Sequence, residues 1–259
     1  MALMFSVLLA VAAWMQAGWP ERNAAGDTRA ALLTRWLTTS LLSATPILLS
    51  VAALLGAGCV PTNSEAGEVQ DALLTQLRPF EIVLGRLLAA LRPVLLLLAL
   101  SCGFWGLAAR TPWGAGEIGG GAVLVAHLAL LCAVLMIGSV AALFATGRRP
   151  GRAWGRGAGV ALALTVLSMT AILLIDPQVR RMDDPVRLIE GALLINPVAA
   201  VATPLKLDLL RTQWLYGHTT APEFEFAYPP PLASATLFAA IAGAALVMTA
   251  WRLRAAYRR

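Results

Sequence analysis

The chain has 259 residues, of which 59% are hydrophobic and only 13% charged, with a mean hydropathy of +0.74. A soluble domain of this size carries about 25% charged residues, so too few polar side chains exist here to wet a globule, which excludes a soluble enzyme and a disordered or fibrous chain. The net charge of +6 and a pI near 10.0 would suit nucleic acid, but the basic residues sit in short clusters between apolar runs, the pattern of a membrane protein's aqueous faces, and no nucleic-acid partner is expected.

A helix that crosses a bilayer needs about 20 mostly apolar residues. Reading between charges gives six spans, at 3–19, 37–60, 87–108, 122–146, 157–175 and 233–251. The first has a second reading as a signal peptide, with small residues at Ala12, Ala13 and Ala17 but without a basic start. Trp14, Trp19, Trp36, Trp105, Trp154 and Trp251 fall near span ends, where an amphipathic ring prefers to sit. Arg92 lies one to two turns inside the third span, within snorkelling reach of the interface.

Between the second and third spans the character changes. Thr62 followed by Glu65 fits a capping box, and Glu65, Glu68 and Asp71 load the first turns with the charge that suits the positive end of a helix dipole. Val69, Leu73 and Leu77 recur every four residues as an apolar stripe, with Leu74 beside it. These features predict an amphipathic helix over 62–78, lying flat on the membrane face, stopped by Pro79 and followed by a new start at Glu81. Surface helices that rest in lipid are usually rich in Lys and Arg; the acidic face here favours a protein partner over headgroups.

The loop 147–156 and the tail after 251 carry arginines and no acid. Two spans separate them, so both are placed in the cytoplasm together with 61–86, and 20–35, 109–121 and 176–232 fall outside. Ten basic residues are then inside and nine outside, so density and the acid-free clusters decide the orientation. Both termini are cytoplasmic in this scheme. In the external segment 176–232, Asp184-Pro185 opens an apolar stretch over 186–195 that ends at Asn196-Pro197, and a second stretch over 205–215 follows Pro204. Both predict short helices at or dipping into the outer leaflet, with Pro229–Pro231 turning the chain into the last span.

Other constellations carry less. Cys59, Cys102 and Cys132 are scattered through apolar runs, at no disulfide or metal-ligand spacing. Gly114-x-Gly116-x-x-Gly119 precedes a membrane span instead of sitting in a βαβ unit, so it is no dinucleotide fingerprint. The only lysine, Lys206, follows Leu205, so the chain has no phosphate-binding loop of the Gly-Lys-Ser/Thr type. His127 predicts a packed, hydrogen-bonded side chain, and Gly138-Ser139 predicts close helix packing.

Glu65-Ala-Gly67, fourteen residues before Glu81-Ile-Val-Leu-Gly85-Arg86, resembles the signature of ABC-2 type transporter permeases. In that family a Glu-x-Gly-Thr-Leu stretch leads through leucines and a proline turn to Glu-Ile-Leu-Leu-Gly-Lys. Glu68 stands where Thr is usual, Gln76 where a further proline is common, and Arg86 replaces the Lys. Ile195-Asn196-Pro197 is similar to the Asn-Pro of the family's external segment, and the six-span layout extends the resemblance over essentially the whole chain.

The resemblance implies an all-α polytopic permease of the bacterial inner membrane, with six transmembrane helices, an amphipathic cytoplasmic coupling helix and short external helices before the last span. It implies that Glu65, Gly67, Glu68, Glu81, Gly85 and Arg86 couple the spans to a separate cytoplasmic ABC ATPase subunit, with Gly85 permitting close backbone approach at the membrane edge. Asn196 and Pro197 become candidates for an external gate. ATP and Mg would sit on the partner, leaving no cofactor, metal or catalytic residue in this chain. The permease would pair with a second copy or a sister permease and export amphipathic compounds. The competing reading, from a different class, is a structural or assembly subunit of a larger membrane complex without transport.

Overall fold

The computed structural model describes residues 26–60, 78–108, 119–146, 150–212 and 219–257. Every regular element among them is helical: α1 (Gly26–Gly58), α2 (Pro79–Ala108), α3 (Gly120–Ala145), α4 (Pro150–Met169), α5 (Ala171–Val179), α6 (Val186–Leu194), α7 (Pro197–Ala202), α8 (Leu209–Thr212) and α9 (Pro231–Tyr257). Short 3-10 turns lie at Thr203–Leu205 and Ala221–Glu223.

Among the described residues, four helices are long and apolar enough to cross a membrane, over Ser40–Gly58, Pro79–Trp105, Gly120–Ala145 and Pro231–Ala255. The number rises to six if two broken pairs, α4 with α5 and α6 with α7, each count as one span. This is the makeup of a multi-pass membrane protein. Only closed hydrogen bonding within each segment lets a backbone cross lipid, and helices supply it. The expected spans 37–60, 87–108, 122–146, 157–175 and 233–251 all fall on these helices. The expected span 3–19 and residues 62–77 of the expected coupling helix lie outside the described residues.

Two expectations about proline change. α2, α4, α7 and α9 each open on a proline. At the first helical position the missing N–H has no partner to lose and φ is already helical, so Pro79 and Pro197 start helices. In the external stretch expected to be helical over 205–215, Leu205 closes the helical run that starts at Pro197, and Lys206 takes a left-handed conformation, with φ of 56°. α8 (Leu209–Thr212) lies within the expected stretch, and 213–215 lie outside the described residues.

The chain forms two compact units. One comprises Met1–Ile47, Leu96–Leu131 and Leu167–Ala235, the other Leu48–Leu95, Cys132–Val166 and Thr236–Arg259. The boundaries fall inside α1, α2, α3, α4 and α9, so each long helix is divided between the two. The described parts of the loops that charge assigns to one side (78–86, 150–156 and 252–257) belong to the second unit, and those assigned to the other side (119–121 and 176–230) to the first.

In the second unit small residues set the packing. A Cβ on Gly56 of α1 would lie 2.6 Å from the Gly138 Cα of α3, and one on Gly157 of α4 would lie 2.7 Å from the Ala145 Cβ. Without a side chain at these points the backbones approach, the usual basis of helix association in lipid. Val140, Leu143 and Ala245 form a buried cluster against which Val160 and Leu164 pack. In the first unit α5 packs on α6, and Ile172, Val179, Ile189, Leu193, Leu209 and Leu210 are almost fully enclosed.

Three buried hydroxyls inside the spans bond to carbonyls of their own helices. Thr45 donates to the Leu41 carbonyl at 2.8 Å, Ser139 to Leu135 at 2.6 Å and Thr249 to Ala245 at 2.7 Å. Such back-bonding removes the cost of an unpaired polar group in hydrocarbon. No buried side-chain nitrogen or oxygen among the described residues lacks a partner.

Candidate functional site

The first constellation is the junction at Asn196. The chain turns through about a right angle here, α6 and the Pro197–Leu205 helical stretch being bent by 82°. Asn196 has an extended backbone and fully buried side chain, and its Oδ1 accepts from the Val198 N–H at 2.9 Å and the Ala199 N–H at 3.3 Å. This satisfies donors that a helix start otherwise leaves open. Its Nδ2 donates to the Met169 carbonyl at 3.3 Å, at the place where α4 gives way to α5. One amide thus ties the break in one helix pair to the break in the other. All six residues of α7 are buried.

Polar contacts brace the rest of this segment. Asp176 Oδ1 accepts from the Thr220 N–H at 2.7 Å and its hydroxyl at 2.8 Å, while Asp176 Oδ2 takes the Arg180 Nε–H at 2.8 Å. Glu190 accepts from the Ala227 N–H at 3.2 Å. Tyr228 donates its hydroxyl to Asp208 at 2.8 Å and accepts from the Leu210 N–H at 3.1 Å. Burial first, and then the Asp208 carboxylate, push the Tyr228 phenol above the ordinary tyrosine range. Asp184, just before the N-cap residue Pro185 of α6, accepts from the Val186 N–H at 3.3 Å.

The second constellation lies where the loops expected to be cytoplasmic begin. Glu81 is exposed, and its Oε2 accepts from the Arg78 N–H at 2.7 Å, the return half of a capping box that secures the start of α2. Gly85 is exposed, and a Cβ placed on it would meet nothing within 4 Å among the described residues. Among the described residues, close backbone approaches are found at Gly56 and Gly157. Arg86 is half-buried, and its charge acts on the Cys59 thiol. Glu65, Gly67 and Glu68 lie outside the described residues.

Arg92 is exposed and follows Leu91, whose side chain faces Gly138. His127 is buried, with Nδ1 2.8 Å from the Val123 carbonyl and Nε2 3.0 Å from the Ser101 hydroxyl of α2. Both ring nitrogens are thus engaged by neighbouring groups. Among the described residues no group of three or more His, Cys, Asp or Glu gathers that could hold a metal.

Two contacts with no counterpart in the sequence reading join arginines to the end of α3. Arg156 donates Nε to the Phe144 carbonyl at 3.0 Å and Nη2 to the Thr146 carbonyl at 2.9 Å. Arg252 donates Nη1 to the Leu143 carbonyl at 3.2 Å. The signal available in the sequence was two acid-free arginine clusters, one directly after Thr146 and one at the chain's end.

Comparison with protein-family models, with curated proteins and with solved structures gives no significant match. The functional reading therefore rests on the chain's own residues.

Proposed function

We propose that the chain is the membrane-spanning permease subunit of an ABC-2 type transporter. It forms a substrate pathway with a second copy or a sister permease in the bacterial inner membrane, both termini in the cytoplasm, and is driven by a separate ATPase. Export of an amphipathic compound is the direction favoured. The observation that carries this reading is the helix–break–helix at 186–205, folded around a buried Asn196-Pro197 shortly before the last span. In the resembled family this region gates the external mouth of the pathway. A buried right-angle break bound to a neighbouring helix break suits such a gate, because two breaks joined by one amide can move as one element.

Further support comes from the opposite set of loops. Glu81-Ile-Val-Leu-Gly85-Arg86 opens α2, and Glu81 and Gly85 are exposed there, accessible to a partner. Glu65, Gly67, Glu68, Glu81, Gly85 and Arg86 are assigned to ATPase coupling in this proposal.

The test is gentle purification of the chain from its native membrane, followed by mass spectrometry and an ATP-hydrolysis assay. A co-purifying P-loop ATPase whose activity responds to substitution at Glu81 and Arg86 is the expected result. Recovery with non-ATPase membrane proteins and no hydrolysis would overturn the transport reading in favour of an assembly subunit.

A further inference from the structure

Arginines from two helices converge on the end of a third. Thr146, just past α3, is shared between them: its carbonyl accepts from Arg156 Nη2 at 2.9 Å, and its hydroxyl oxygen accepts from Arg252 Nη1 at 3.4 Å. All three residues belong to the same compact unit. The last carbonyls of a helix lack partners within it and carry roughly half a negative charge, which explains why one guanidinium settles there. It does not neutralise two.

Among the described residues of that unit Glu81 is the only acid, and its Oε2 is engaged by the backbone of its own helix. Arg152 and Arg254, both exposed, add further positive charge on the same two helices. Each guanidinium carries five N–H groups. The α3 end engages Nε and Nη2 of Arg156 and Nη1 of Arg252, and both side chains remain exposed. Such a pair suits an anion with several oxygens, and the planar forks match phosphate.

The level of the pair in the fold indicates the source of that phosphate. Trp154 lies two residues before Arg156 and Trp251 one before Arg252, with 47% and 71% of their surfaces exposed. Exposed tryptophans at the ends of apolar helices mark the headgroup layer. We propose that Arg156 and Arg252, held together at Thr146, bind the phosphate of an anionic phospholipid headgroup. The site does not depend on the transport reading, and an assembly subunit would carry it equally.

The test uses the full chain in mild detergent, with lipid retention followed by native mass spectrometry and thermal stabilisation. The probes are phosphatidylglycerol, phosphatidylcholine and inorganic phosphate. Phosphatidylglycerol is expected to be retained over phosphatidylcholine. Arg156→Gln combined with Arg252→Gln should weaken phosphatidylglycerol retention by about tenfold or more, whereas Arg152→Gln combined with Arg254→Gln should leave most of it. If the glutamine pair fails to fold, Arg156→Lys with Arg252→Lys keeps charge at the helix end without the fork, and weaker retention by a folded protein is expected. Equal retention of both lipids, unchanged retention in either 156/252 double variant, or competition by millimolar inorganic phosphate would overturn the proposal. Loss of a partner ATPase with lipid retention intact would also overturn it, making the surface a protein dock.

Discussion

Asn196 donates its side-chain amide to the carbonyl of Met169, 3.3 Å away, while its Oδ1 caps the helix that begins at Pro197. The same side chain closes one helix start and bridges two helix breaks. Asn196→Ala removes the cap and exposes buried polar groups to an apolar surrounding, so a loss of about 2 kcal/mol or more is expected. Asn196→Asp keeps the capping oxygen but sets an acceptor against the Met169 carbonyl. Thermal unfolding in detergent separates the two roles. If the aspartate variant is as stable as the parent, the bridge contributes nothing and only the cap matters.

Glycines at apparently similar positions should respond very differently to alanine. At Gly56 a methyl would be 2.6 Å from the Gly138 Cα, a backbone contact that cannot move aside, so Gly56→Ala is expected to cost about 2–3 kcal/mol. At Gly138 the new methyl meets Leu91 and Leu87 side-chain tips at 3.1 and 3.4 Å, which can shift, and the net change should stay below about 1 kcal/mol. Gly85→Ala meets nothing within 4 Å and should gain up to about 1 kcal/mol from helix propensity. Melting midpoints of the three variants in one detergent check the order. A Gly56→Ala protein as stable as Gly85→Ala would contradict the close crossing of α1 and α3.

Hydropathy alone located the long helices: the stretch expected over 122–146 is α3 (Gly120–Ala145), and the one over 37–60 contains Ser40–Gly58. Desolvation is a local property of sequence, so its pattern survives without knowledge of partners. The Asn196-Pro197 pair was legible as punctuation, but its second role was not. A proline that ends one element is chemically the same proline that begins the next, and only the burial of α7 shows the latter. The contact between Gly56 and Gly138 and the convergence of Arg156 and Arg252 each join residues far apart in the chain. Small size and positive charge were visible at those positions, whereas the pairing is a property of tertiary packing.

Tyr228 is expected to make the segment before α9 sensitive to alkaline pH. The unfolded phenol ionises near pH 10, whereas burial and Asp208 raise the folded value above that. Between the two values the folded state holds one more proton than the unfolded state. The stabilisation is fully present below pH 10 and falls as pH rises through the folded value. Tyr228→Phe abolishes the hydrogen bonds to Asp208 and Leu210 and should cost about 1–2 kcal/mol near neutrality. The difference in stability between parent and variant should shrink above pH 10. A constant difference across that range would mean that Tyr228 does not titrate with folding.

Glu81 offers a way to separate helix capping from partner coupling. Its Oε2 accepts from the Arg78 N–H at 2.7 Å, and glutamine can present an oxygen at the same place without the charge. Glu81→Gln should therefore leave the melting midpoint nearly unchanged. If the carboxylate pairs with a basic cleft on an ATPase, the same substitution should weaken co-purification by about tenfold and lower stimulated hydrolysis. Glu81→Arg removes both the cap and the charge, so it should lower stability by about 1 kcal/mol as well as abolish association. Association that survives both substitutions would make Glu81 a helix cap and nothing more. The coupling surface would then have to lie elsewhere, and the transport reading would lose one of its two supports.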